Sequence, residues 1–195
     1  MPITPASLMP VLDSNLTAVD VAGPNEPDLA KAVSVAFPQF LKTIPVTTVH
    51  TGVLGSGVGT GTVSIDPASG TSILLSQFQA KGLNGVNTGQ LAKGLATGLA
   101  QEINTNATVQ VAIVGTSNGS GTGTLAAADG SQFVPLLSSQ FKAHGIEGSI
   151  EPKLSQAVGE GVGQWMKSAT ITTVDTGTPV FPYNVASGAG QGSVF

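Results

Sequence analysis

Apolar residues recur at helical spacing three times along the chain. Leu29, Val33 and Phe37 make one stripe, Leu91, Leu95, Leu99 and Ile103 a second, and Leu154, Val158 and Val162 a third. Spacing of about four places each set on one helix face. Start signals stand ahead of them: Asn25 with Pro27 and Asp28, then Thr88, then Pro152. Such residues cap a helix, preset its first turn or suit the positive end of its dipole. After each stripe the period changes to two. Val46–Thr51, Thr108–Val114 and Thr170–Thr176 alternate and are rich in β-branched residues, the pattern of strands. The first two run into glycine–threonine stretches, Gly55–Thr62 and Asn118–Thr124, where glycine permits positive φ. These read as long-tipped β-hairpins. Ile73–Gly82 and Phe133–Gly145 read as further helices, each closed by a left-handed glycine.

The pattern repeats. Leu91 lies 62 residues after Leu29, and Leu154 lies 63 after Leu91. Leu74, Gln77, Phe78, Ala80, Gly82 and Gly85 match Leu137, Gln140, Phe141, Ala143, Gly145 and Gly148. A unit of about sixty residues is too long for the common solenoid periods. The expected fold is α+β: two to three homologous small subdomains, each a helix packed on a β-hairpin, with arms at both ends. The boundaries are an N-terminal arm over 1–23, repeat 1 over 24–86, repeat 2 over 87–149, a truncated repeat 3 over 150–178 and a C-terminal arm over 179–195. Alternatively, every unit donates its strands to a shared sheet. The helices also share a pair of small residues four apart: Ala32 and Ala36, Gly94 and Gly98, Ala157 and Gly161. Glycine inside a helix costs up to about 1 kcal/mol, so its presence predicts close backbone packing. The expected contact is with the unit's own sheet, or else with a helix of another subunit.

Composition narrows the function. Charged residues make up 9% of the 195, net charge is −4, and the seven lysines are scattered in a chain without arginine. Nucleic-acid binding is therefore not expected, because the fork-shaped donor for phosphate and guanine is missing. There is no cysteine and hence no disulfide framework. The opening MPITPASLMPVLDSNL lacks a basic region and holds three prolines, so no secretory signal is expected, and no apolar run is long enough for a membrane span.

Candidate chemistry is thin. Gly115-Thr116-Ser117-Asn118-Gly119 matches the nucleophile-elbow pattern, with Asp129 and His144 following in hydrolase order. An elbow needs a strand, a sharp turn and a helix, whereas Ser117 leads toward another strand, and the repeat partner is the apolar Leu54. The glycine stretches lack both dinucleotide and P-loop spacing. His50 and Asp175 occupy equivalent strand ends but have no carboxylate cluster for a metal. The sequons at Asn15, Asn106 and Asn118 are chance matches in an Asn- and Thr-rich chain. No catalytic, cofactor-binding or metal residue is assigned, no cofactor or small-molecule substrate is expected, and the chain is not read as an enzyme.

Helix, strand and glycine–threonine segments of the form LAKAVSVAF…VGTGTV and LAKGLATGL…SGTGTL resemble accessory structural proteins of tailed bacteriophage particles, over most of Asp28–Pro179. The resemblance implies a virion component of capsid, neck, tail or baseplate, made in the host cytoplasm and partnered by copies of itself and other virion proteins. Low charge and apolar arms suit assembly by arm exchange and sheet-edge pairing. The alternative is a carbohydrate- or host-surface-binding module using the two glycine tips. A single Trp165 and a single Tyr183 disfavour it.

Overall fold

The computed structural model describes residues 4–21, 23–53, 55–115, 118–126, 130–167, 169–180 and 185–194. The fold is α+β. Two helices followed by two strands occur three times: α1 Pro5–Ala18, α2 Glu26–Lys42, β1 Val46–Val53 and β2 Gly55–Val63; then α3 Pro67–Ala80, α4 Thr88–Asn106, β3 Thr108–Gly115 and β4 Asn118–Ala126; then α5 Gly130–Ala143, α6 Ile150–Met166, β5 Thr170–Val180 and β6 Val185–Val194.

Helices pack on helices and strands on strands. Each helix lies against the next in sequence, and α6 returns to α1, so the six form a closed ring. The six strands form a closed antiparallel barrel in sequence order. Contacts between the two bodies are sparse, so the expected packing of each helix on its own hairpin does not occur. The shared sheet does. Neither arm exists as such: residues 1–23 hold α1, a member of the ring, and residues 179–195 hold β6, which pairs with both β5 and β1. The third unit is therefore complete. No strand of the barrel keeps a free edge, which removes edge pairing as a route to assembly.

The frame of the repeat explains the helix that sequence reasoning overlooks. Thr4 and Asp66, 62 apart, are the N-caps of α1 and α3. Thr4 Oγ1 accepts from the Ser7 amide at 3.3 Å, and Asp66 accepts from the Ala68 and Ser69 amides. Pro-Ala-Ser follows both caps, at 5–7 and 67–69, and α1, α3 and α5 are each 14 residues long. Their buried faces correspond: Leu12, Leu74 and Leu137; Leu16, Phe78 and Phe141.

The glycine stretches expected at hairpin tips are instead strands β2 and β4. The reason lies in the barrel's width. Following paired residues from Gly52 through Gly57, Ile113, Gly121, Thr173 and Gly192 returns to β1 at Val46, six residues lower. Six strands with that stagger enclose a radius of about 6 Å at ordinary strand spacing. An eight-stranded barrel is only just wide enough to be filled by side chains, so six strands need glycine on part of the inner face. Val46, Thr48, Gly59, Val63 and Val109 share one register face and are buried; Val49, Val58 and Val174 lie on the other and are 69%, 71% and 72% exposed. On the buried face β2, β4 and β6 carry glycine at most positions. A Cβ at Gly61 would run into the Thr47 carbonyl and the Thr48 methyl.

The small residues of the even helices admit side chains from the neighbouring odd helix. A Cβ on Gly94 would stand 2.8 Å from Phe141, one on Gly98 2.6 Å from Leu137, and one on Gly161 3.1 Å from Leu12. The contact expected with a sheet or another subunit is thus a helix contact between units of one chain.

Candidate functional site

At the ring's end away from the barrel, three turns join odd helices to even ones. Asp20, Gly82 and Gly145 end the odd helices in the left-handed conformation, with φ of 57°, 76° and 75°. The next residue in each turn donates its amide to the carbonyl five residues back: Val21 to Leu16 at 2.9 Å, Leu83 to Phe78 at 2.9 Å, Ile146 to Phe141 at 2.8 Å. This is the Schellman closure, which regularly points an apolar residue back at the helix. Here it happens three times around one axis.

The result is an open cavity of about 720 Å³. Val21, Leu83 and Ile146 line it from the turns; Leu29, Leu91 and Leu154 line it from the first turns of α2, α4 and α6. Its polar side chains come from Asn25, Glu26, Asn84, Asn87 and Thr88. Asn25 and Asn87 are the N-caps of α2 and α4, yet neither side chain makes the capping bond. Burial first, and then the Asp13 carboxylate hydrogen-bonded to it, hold the Glu26 carboxyl above its ordinary range. Its Oε1 is shut off from water and has no hydrogen-bond partner. Lysines engage other acids: Lys31 pairs with Asp28, Lys142 with Glu151, and Lys153 with Asp20 at 3.0 Å.

Ser117 and Asp129 lie outside the described residues, as does Tyr183. Gly115 ends β3 and Asn118 opens β4, both in the barrel, while His144 closes α5 in the helical ring. Asp129 stands 63 residues after the N-cap Asp66 in the sequence. His50 pairs with Gly59 and Gly188, and Asp175 with Gly119 and Gly190, within the barrel ladder rather than at strand ends. Trp165 is 3% exposed and offers no platform for a sugar. Among the described residues no group of three or more His, Asp or Glu could hold a metal, and no helix is long and apolar enough to cross a membrane.

Sequence reasoning misses the cavity, although its signal is there. Val21, Leu83 and Ile146 stand 62 and 63 apart, each directly after a residue suited to positive φ. No protein family, curated protein or solved structure matches the chain. The arrangement can bind, by apolar contact with a few polar handles.

Proposed function

We propose that the protein is a structural component of a virus particle of the tailed-phage kind, working as a one-chain, three-unit block that packs against copies of itself and other virion proteins. The three units derive, in this reading, from one helix–helix–hairpin ancestor. The supporting signs are the common spacing of 62 and 63, the Pro-Ala-Ser start that the first two units share and the three equivalent turns.

One observation carries the reading. The barrel face that holds Val49, Val58 and Val174 has no charged residue on any of the six strands, only Thr, Ser, Val, Ala, Gln and Asn. Interface centres are depleted of charge, whereas a wall meant for water alone has no reason to avoid it. Assembly then runs through the wall instead of through arms or strand edges. Light scattering behind gel filtration tests this over a concentration series. The expected result is a mass well above the 19.4 kDa of one chain, falling to that value in Val58→Lys/Val174→Lys with unchanged melting. A wild-type monomer at every concentration, or a variant that assembles equally well, overturns it.

A further inference from the structure

The recess at the ring's end is walled by the same apolar position of all three units. We propose that it binds a small uncharged apolar molecule, held by contact with Val21, Leu83, Ile146, Leu29, Leu91 and Leu154. The binding does not depend on the role in a particle.

The volume of about 720 Å³ falls in the range of small-molecule sites, which are mainly apolar with a few polar groups. Glu26 is the one ionisable residue among the described lining, and its carboxyl is engaged elsewhere. It bonds Asp13, which does not line the recess, and its Oε1 is sealed from water. An ion entering here would leave water without gaining a partner of opposite charge, which is costly. Water is itself held weakly: a well-placed molecule needs about two to four polar partners, and the six apolar side chains offer none. Its displacement favours an apolar occupant.

The shape of the recess selects a small occupant. Leu29, Leu83 and Leu91 keep part of their surface open, while Val21, Ile146 and Leu154 are 7%, 9% and 6% exposed. By contrast Ile150, and Val86 between the lining residues Gly85 and Asn87, are 47% and 96% exposed. A flat protein face would rest on Val86 and Ile150 and leave the walls behind them untouched. A narrow molecule reaches the walls.

The test is a two-dimensional NMR titration of the full chain, methyl-labelled at Ile, Leu and Val, with toluene, benzylammonium and benzoate. Toluene is expected to shift the methyls of the six wall residues and to saturate at millimolar concentration or below, with the two ions at least about tenfold weaker. Gly23 and Gly85 are lining positions 62 apart, where an added Cβ meets nothing within 4 Å and Thr88 Oγ1 at 3.7 Å, respectively. Gly23→Trp and Gly85→Trp should each fill the recess and weaken toluene at least about tenfold. Val86→Lys alters the rim alone and should leave toluene affinity unchanged. No shift with toluene, shifts centred away from the six residues, or an ion that binds as tightly overturns the proposal. So does toluene affinity that survives in a tryptophan variant melting like the wild type, or that is lost in Val86→Lys.

Discussion

The indole Nε1 of Trp165 donates a 3.0 Å hydrogen bond to Ser7 Oγ, joining the last helix of the chain to the first across 158 residues of sequence. Ser7 also completes the capping box at Thr4, so one hydroxyl serves both the start of α1 and the closure of the ring. Ser7→Ala is expected to cost about 1–2 kcal/mol and Trp165→Ala about 3–5 kcal/mol in urea unfolding. Removal of residues 1–23 takes Leu8, Leu12 and Leu16 out of the core and should abolish cooperative unfolding. A truncated chain with the wild-type midpoint would show that α1 is peripheral.

Two glycine-to-alanine changes in the even helices should move stability in opposite directions. A Cβ added at Gly89 would meet nothing within 4 Å, so Gly89→Ala gains about 0.5–1 kcal/mol from backbone entropy. A Cβ on Gly159 would stand 2.6 Å from Val134 Cγ2 and 3.0 Å from its backbone, which cannot swing aside. Gly159→Ala should lose about 1–3 kcal/mol through overpacking, more than its helix propensity returns. Equal signs in thermal melts would contradict the close passage of α6 over α5.

Asp20 takes the left-handed conformation that glycine takes at the two equivalent turns. Lys153 holds it, bonding both its carboxylate at 3.0 Å and its backbone carbonyl at 3.2 Å. Because this pair is exposed, it is worth no more than about 1 kcal/mol. Asp20→Gly loses the pair but gains a residue at ease with positive φ, so the two nearly offset; Asp20→Ala loses the pair and keeps the strain. Alanine should therefore be less stable than glycine by about 1 kcal/mol, measured by chemical denaturation.

Glu26 gives the fold a pH dependence of unusual sign for a carboxyl. Its folded value is raised above 4.5, so between the two values the folded chain holds the extra proton. Stability from this group is full below 4.5 and is lost as pH rises through the raised value. Glu26→Gln should be indifferent to that window and more stable than wild type at pH 7, the difference shrinking toward pH 4. Urea midpoints across pH 4–7 measure it, and a difference that grows on acidification would refute the assignment.

How much of the fold is legible in the sequence depends on the physical origin of each signal. The stripes at Leu29, Leu91 and Leu154 are local, and all three are helices in the structure. The glycine closures at Gly82 and Gly145 are legible for the same reason. Gly55–Thr62 is not, because glycine's strand-avoiding habit is local whereas the demand for it comes from the width of a six-stranded barrel. Helix α1 escapes notice because it shares with α3 and α5 a few core positions, Leu12 with Leu74 and Leu137, under surfaces that differ; Pro-Ala-Ser at 5–7 and 67–69 is the longest run it has in common with α3. The cavity needs three turns to meet, and no single stretch of sequence contains it.

The ring's joints are not alike. A Cβ on Gly70 would strike the ring of Phe40, so that joint is filled from α2. Leu8 and Phe133, which stand 62 before and 63 after Gly70, fill theirs from the odd helix. Trp165, 125 residues beyond Phe40, closes the last joint with a hydrogen bond. Three identical chains would be bound to one solution, repeated, and any change would strike every joint together. Linking the units in one polypeptide lets each seam be settled separately, so mutations can be accepted one joint at a time.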